Sequence, residues 1–260
     1  METFDVGRTV SRATRLVLGT VPSAGVFLAF AIIISVGLTA VSSLVYAPQT
    51  AGTGKLSEYG AIAAMLAGAI AYLLAATLVA ALTFSGSLYG LLQFAQNRPV
   101  TLGGCIRVGI AKMLPTLGVM VLWYIAVIVG IMLFVAPGIL VITIWSAPLP
   151  VLVNENIGVL PSFARSRELT KGSRGKIFLL LLLAAIFTYL VSIVILGAVA
   201  GADLAGLAVA MRSKPWLYAV QIVLSWLTTS ALNALLVSIY LETLSVKGGG
   251  PAGRLQEVFA

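Results

Sequence analysis

From Met113 through Asn154 the chain carries no charged side chain, and further charge-free stretches occupy 16–54, 59–97, 177–202 and 215–241. Every Asp, Glu, Lys and Arg stands at the border of an apolar block or outside one, the pattern of a chain whose core lies in hydrocarbon. With 60% of residues hydrophobic and 9% charged, there is not enough polar surface to cover a water-soluble domain. In lipid, backbone groups are satisfied only by helices or closed barrels, and Ala- and Gly-rich runs without alternation leave helices. The expected fold class is an all-α membrane protein, 1–260 forming a single transmembrane domain that ends in a short cytoplasmic tail, 247–260.

A span needs about 20 apolar residues, so 113–154 must fold back on itself. Ala136-Pro137-Gly138 offers the turn, proline withholding a helix hydrogen bond and glycine permitting a reversed backbone. This predicts spans near 114–135 and 139–153, with others near 21–46, 60–93, 177–200 and 216–241: six in all. The span near 139–153 is short, and Pro148 and Pro150 interrupt it. If all six cross, one face receives Arg8, Arg12, Arg15, Arg98, Arg107, Lys112, Arg165, Arg167, Lys171, Arg174, Lys176, Lys247 and Arg254, and the other only Lys55, Arg212 and Lys214. By the positive-inside rule both termini are expected in the cytoplasm. Arg8, Arg12 and Arg15 ahead of an apolar run imitate a signal peptide, but the uncharged segment 16–54 far exceeds a signal's apolar region, so the first span is expected to stay uncleaved.

The large cytoplasmic segments resemble one another. A shift of 92 places Val10 on Leu102 and Arg15 on Arg107, and a further shift of 58 places them on Leu160 and Arg165. This predicts a pseudo-threefold repeat (1–97, 98–153, 154–246), each copy a basic interfacial helix followed by a two-span hairpin. In the first copy Val6, Val10, Ala13 and Val17 share a helical side opposite Arg8, Arg12 and Arg15, which suits a helix lying in the interface with its apolar side toward the acyl boundary. In the second, Leu102, Ile106, Gly109, Ile110 and Met113 form the stripe and Thr101 suits an N-cap. In the third, Val159, Phe163 and Leu169 share a side diluted by Ser162, Ser166 and Thr170; Pro161 suits a first turn and Gly172 a stop.

Candidate contacts to anionic lipid are Arg8, Arg12, Arg15, Arg107, Lys112, Arg165, Arg167, Lys171 and Arg174. Two compatible readings are open for them: topology signals that anchor to headgroups, or a site for lipid phosphates. Deep in the spans the strong polar side chains are Gln221 and Asn233, which fit helix-to-helix hydrogen bonds better than a substrate path. Glu242 is expected to meet a loop arginine or water. Ala63, Ala67, Ala71 and Ala75 recur at four-residue spacing, followed by Gly86 and Gly90, a run of small residues for close helix packing or self-association, and Ser85-Gly86-Ser87 could kink that helix. Trp216, after Lys214 and Pro215, suits an interfacial anchor.

No histidine and one cysteine, Cys105, exclude an internal disulfide and remove the usual nitrogen and sulfur metal ligands. Cys105 reads as a small filler, with lipidation or redox sensing as the alternative. No catalytic residue, no cofactor and no metal site is expected. Nucleic acid is not an expected partner either, because the basic residues border the membrane instead of covering a soluble domain.

Pro137-Gly138, Trp145-Ser146, Pro150-Val151-Leu152-Val153, Glu155 and the run Ala164-Arg165-Ser166-Arg167-Glu168-Leu169-Thr170-Lys171-Gly172 together resemble the membrane domain of glycerophosphoryl diester phosphodiesterases and related stand-alone six-span proteins of bacterial inner membranes. The resemblance implies a protein of the bacterial cytoplasmic membrane with three repeated hairpins. In the fused relatives the chemistry belongs to a separate barrel with histidines and metal-binding carboxylates, and a chain without histidine is not expected to share it. The expectation is thus a non-enzymatic integral membrane protein that contacts anionic headgroups, a membrane partner or a second copy of itself, with a role in lipid handling or membrane homeostasis. The alternative is a small transporter or channel whose path runs between the repeats, with Pro148, Pro150, Gln221 and Asn233 as its candidate residues.

Overall fold

A computed structural model describes residues 4–19, 58–200 and 216–247. Helices joined by short turns account for them: α1, helical from 6 to 19; α2 (Glu58–Ala95), α3 (Leu102–Leu133), α4 (Val135–Ile144), α5 (Pro148–Glu155), α6 (Val159–Thr170), α7 (Arg174–Ala200) and α8 (Trp216–Val246). Among the described residues, five segments are long and apolar enough to cross a bilayer: Leu66–Ala95, Leu102–Leu133, Ala136–Glu155, Arg174–Val194 and Val223–Val246. By this measure the chain is a multi-pass membrane protein. The span expected near 21–46 lies outside the described residues, and with it the first hairpin of the threefold plan.

The helix ends follow local chemistry. Asp5 Oδ1 accepts from the Gly7 and Arg8 amides at 2.7 and 3.2 Å, capping α1. Thr101 Oγ1 accepts from the Gly104 amide at 3.3 Å and caps α3 as its sequence predicts. Asn97 adopts φ 55° after α2, where the Arg98 amide reaches back to the Gln93 carbonyl at 2.9 Å, a left-handed stop that asparagine tolerates. Pro161 occupies the first turn of α6, and Gly172, at φ 94°, turns the chain into α7.

Three expectations are corrected. First, the turn between the third and fourth spans is Phe134, in extended conformation at φ −169°, ψ 156°, while Ala136-Pro137-Gly138 lies inside the first turn of α4. Proline is tolerated there because first-turn amides have no helical partner. Glycine serves packing: a Cβ on Gly130 would lie 2.9 Å from Gly138 Cα, and one on Gly138 would lie 2.5 Å from Ile131 Cγ1, so α3 and α4 cross nearly backbone to backbone.

Second, the basic segment 102–113 is no separate interfacial helix. It continues through Pro115 into the span as one helix, Leu102–Leu133, because Gly109 and Cys105 pack against α2 and hold it in line. Ser85 Oγ donates to the Gly109 carbonyl at 3.3 Å, and a Cβ on Gly86 would lie 3.0 Å from the Cys105 carbonyl oxygen. Cys105 is a buried filler. The close approach of α2 therefore sits at Gly86. Ala67 and Ala71 are exposed, and Ala63 has its side chain outside the described residues.

Third, the apolar side of α6 and most of that of α1 turn toward protein, Val10 of α1 remaining exposed. Val6 and Ala13 pack on Phe4, Ile177, Leu180, Leu235 and Ile239. In α6 the serines and threonine expected to dilute the stripe are its buried face: Ser162, Ser166 and Thr170 are fully buried, beside Phe163 and Leu169.

What they cover is a break in the fourth span. Residues 145–147 leave the helix between α4 and α5, and Pro148, first residue of α5, cannot extend α4. Thr170 Oγ1 and Ser166 Oγ both donate to the Ile144 carbonyl, at 3.2 and 3.0 Å, while Ser166 Oγ accepts from the Ala147 amide at 3.2 Å. Trp123 Nε1 donates to the Trp145 carbonyl at 3.0 Å, and the Trp145 ring meets Phe163 edge-on at 4.9 Å. Irregular backbone at membrane depth survives only where protein satisfies it. A two-hydroxyl cap from α6 does so here. Around it lies the main core, in which Leu88, Leu91 and Leu92 of α2 meet Val151 and Val153 of α5 and Val237, Tyr240 and Leu244 of α8.

Candidate functional site

Apart from Glu58 at the start of α2, the charged residues of the described chain gather where α2, α5 and α8 end and α6 and α7 begin. Two carboxylates organise this end. Glu242, fully buried near the end of α8, lies between the guanidinium groups of Arg8 and Arg12, with Oε1 3.1 Å from Arg8 Nη2 and Oε2 3.4 Å from Arg12 Nη1. The Asp5 amide donates to Glu242 Oε1 at 3.4 Å, and Lys176 Nζ of α7 donates to the Phe4 carbonyl at 2.7 Å. These contacts fasten α1 across α7 and α8. A buried carboxylate requires such partners, because desolvating it unpaired would cost several kcal/mol, on the order of the whole stability margin.

Glu155, at the end of α5, faces Arg165 of α6 across 3.3 Å. Tyr240, fully buried on α8, donates its hydroxyl proton to Glu155 Oε1 at 3.1 Å and accepts from Asn154 Nδ2 at 2.9 Å. Gln96 Nε2 of the α2 turn then donates to Asn154 Oδ1 at 3.2 Å. Arg165 also meets Glu168 at 3.5 Å, and Lys112 Nζ donates to Asn156 Oδ1. One polar chain thus runs from α2 through α5 and α8 to α6, every member held by a partner on another element.

Beyond it lies an excess of positive charge. Lys247, just after α8, donates its ammonium to the Glu168 carbonyl, which places it over the end of α6. Burial first, and then the charge of Lys171, holds the Lys247 ammonium below the ordinary lysine range; Glu168 opposes this, and Arg165 and Arg174 add lesser effects in the same direction as Lys171.

The structure separates the nine sequence-predicted lipid contacts. Arg8, Arg12 and Arg165 are engaged by carboxylates, and Lys112 by an amide oxygen. Arg15, Arg107, Arg167 and Lys171 are exposed, and none of them, nor Arg174, forms an ion pair with a described residue. Asn233, buried on α8, donates Nδ2 to Ser87 Oγ of α2 at 2.9 Å, the helix-to-helix bond its position predicts. Gln221 falls in α8 with its side chain outside the described residues. Glu155, Tyr240 and Asn154 escape a reading based on excess positive charge, because each acts by where it meets another helix, and Lys247, counted among the basic residues of one face, is not among the expected lipid contacts. A usable signal was the rarity of acids: with eight Asp and Glu in the chain, those bordering spans among arginines are candidates for buried pairs. Among the described residues no group of His, Cys, Asp and Glu side chains could hold a metal ion.

No protein-family model matches the chain, and neither a curated protein nor a solved structure matches it significantly.

Proposed function

We propose that this is a non-enzymatic multi-pass protein of a bacterial cytoplasmic membrane, with both termini in the cytoplasm, whose basic end binds anionic lipid headgroups. The observation carrying the reading is the division of charge at that end. Carboxylates neutralise Arg8, Arg12 and Arg165 internally, whereas exposed Arg15, Arg107, Arg167 and Lys171 have no carboxylate partner among the described residues. Basic side chains at a membrane border attract anionic lipid by roughly 1 kcal/mol each. The sequence resemblance to the phosphodiesterase membrane domains supports the same location, and their separate barrel carries the hydrolytic chemistry there.

What favours lipid contact over a path between the repeats is the use already made of the intramembrane polar groups. Asn233 bonds Ser87, and the broken fourth span has its Ile144 carbonyl capped twice by α6. The test is native mass spectrometry of the whole chain in mild detergent, counting bound lipids and subunits together. Replacement of Arg15, Arg107, Arg167 and Lys171 by Gln should remove co-purified anionic lipid, each site contributing about fivefold in affinity, while neutral lipid and insertion stay unchanged. Retention of the same anionic lipids at the same stoichiometry would reduce these residues to topology signals.

A further inference from the structure

The excess charge on one side of the polar end is more than a diffuse attraction. Lys171 and Arg174 flank the Gly172 turn between α6 and α7, and Lys247 arrives from the end of α8, fixed by its bond to the Glu168 carbonyl. Three cations from two separate parts of the chain therefore converge. The acidic groups beside them are already engaged: Glu155 pairs with Arg165, and Glu168, its side chain 69% exposed, pairs with the same arginine. Four cations (Arg165, Lys171, Arg174, Lys247) against two carboxylates leave two positive charges. Like charges gathered at the end of one helix repel one another, and a shared counter-anion relieves that repulsion. Burial first, and then the charge of Lys171, holds the Lys247 ammonium below the ordinary lysine range.

We infer that Lys171, Arg174 and Lys247 form a site for a phosphate headgroup carrying two negative charges, either a phosphomonoester or two linked phosphates. An ordinary phosphodiester lipid has one charge, whereas a phosphomonoester carries about −1.5 to −2 at neutral pH and has three acceptor oxygens. The Arg174 guanidinium can meet two of those oxygens through a bidentate fork, and the two ammonium groups supply point charges. The site rests on the lipid-binding reading above and narrows it to one headgroup class and one corner of the molecule. Free diphosphate shares this chemistry and is the alternative source of the ligand.

The test uses the full chain in neutral detergent, titrated separately with phosphatidic acid, phosphatidylglycerol and inorganic pyrophosphate and read by native mass spectrometry. Wild type should bind phosphatidic acid at least about fivefold more tightly than phosphatidylglycerol. The K171Q/R174Q/K247Q variant should lose roughly 100-fold in that affinity, at about fivefold per cation, whereas K171R/K247R should retain it and R15Q/R107Q should leave the preference between the two lipids intact. Equal binding of both lipids by wild type, or undiminished phosphatidic acid binding by the triple variant, overturns this site and leaves general anionic-lipid binding standing. Tight pyrophosphate binding that the triple variant loses, without lipid binding, upholds the phosphate site and overturns its lipid source. If wild type binds none of the three probes, both proposals fall.

Discussion

Glu242 holds Arg8 and Arg12 from opposite oxygens, at 3.1 and 3.4 Å, so a residue near the end of α8 fixes the helix that begins the described chain. The carboxylate is 1% exposed while the two arginine side chains keep 46% and 35% of their surface in contact with solvent. This asymmetry makes the carboxylate the costly partner to leave alone.

Removal of the acid tests that asymmetry. Glu242→Gln should lower stability in detergent by about 1–3 kcal/mol, below the figure for a fully buried pair because both arginines are partly solvated. The segment 4–19 should become more sensitive to protease. Adding Arg8→Gln and Arg12→Gln to that variant should cost less than the sum of the separate changes, and strict additivity in a thermal unfolding series would argue against a coupled clamp.

The cap on the broken fourth span gives an ordering. Thr170→Ala removes one of two donors to the Ile144 carbonyl and should cost about 1 kcal/mol. Ser166→Ala removes the other and also strands the buried Ala147 amide, so about 1–3 kcal/mol is expected. Unfolding midpoints that rank Thr170 above Ser166 would contradict the double role of Ser166.

Crossing of α3 and α4 depends on missing side chains. Gly138→Ala should destabilise by about 1–3 kcal/mol through overpacking, since its Cβ would meet Ile131 Cγ1 at 2.5 Å. At Gly103, where an added Cβ meets nothing within 4 Å, Ala should be neutral or slightly stabilising. Identical losses at both positions would remove the case for a dedicated close crossing.

Topology is testable with single cysteines in a Cys105→Ser background. In the proposed orientation, with Asn97 and Ser173 on the cytoplasmic side, cysteines there should resist a membrane-impermeant reagent applied from the periplasm. Phe134, 76% exposed at the far end of α3, should be labelled by it when replaced with cysteine. Periplasmic labelling at 173 would mean that the segment Ala136–Glu155 does not cross.

The Lys247 ammonium, held below its usual range by burial and by Lys171, supplies a pH prediction. A lysine whose folded pKa lies under its unfolded value binds more protons when unfolded, so stability rises as pH climbs through the folded pKa and levels off above the unfolded one. Titration of isotope-labelled dimethyl-lysine by NMR should place the Lys247 midpoint below 10.5 and move it upward in Lys171→Gln. A midpoint indifferent to Lys171 would break the proposed cation cluster.

How much of this was legible beforehand divides along a physical line. Charge-free blocks, the polar borders and the Thr101, Pro161 and Gly172 boundaries are local: each follows from a residue's own transfer energy or backbone preference, so sequence suffices. The direction in which a helix turns its faces is not local. Ser162, Ser166 and Thr170 read as blemishes on an apolar stripe, yet they are the buried side of α6, because the backbone break at 145–147 needs donors and acceptors that apolar residues lack. Arg8 and Arg165 read as lipid-facing charges, yet Arg8 answers a carboxylate at the other end of the described chain and Arg165 one on the neighbouring helix. Composition by itself determined that the chain is helical and belongs in a membrane, since hydrocarbon penalises every unpaired polar group wherever it stands. Only the tertiary structure decided which cations are spent inside the protein and which remain available outside it, because that depends on distances between helices that no single segment encodes.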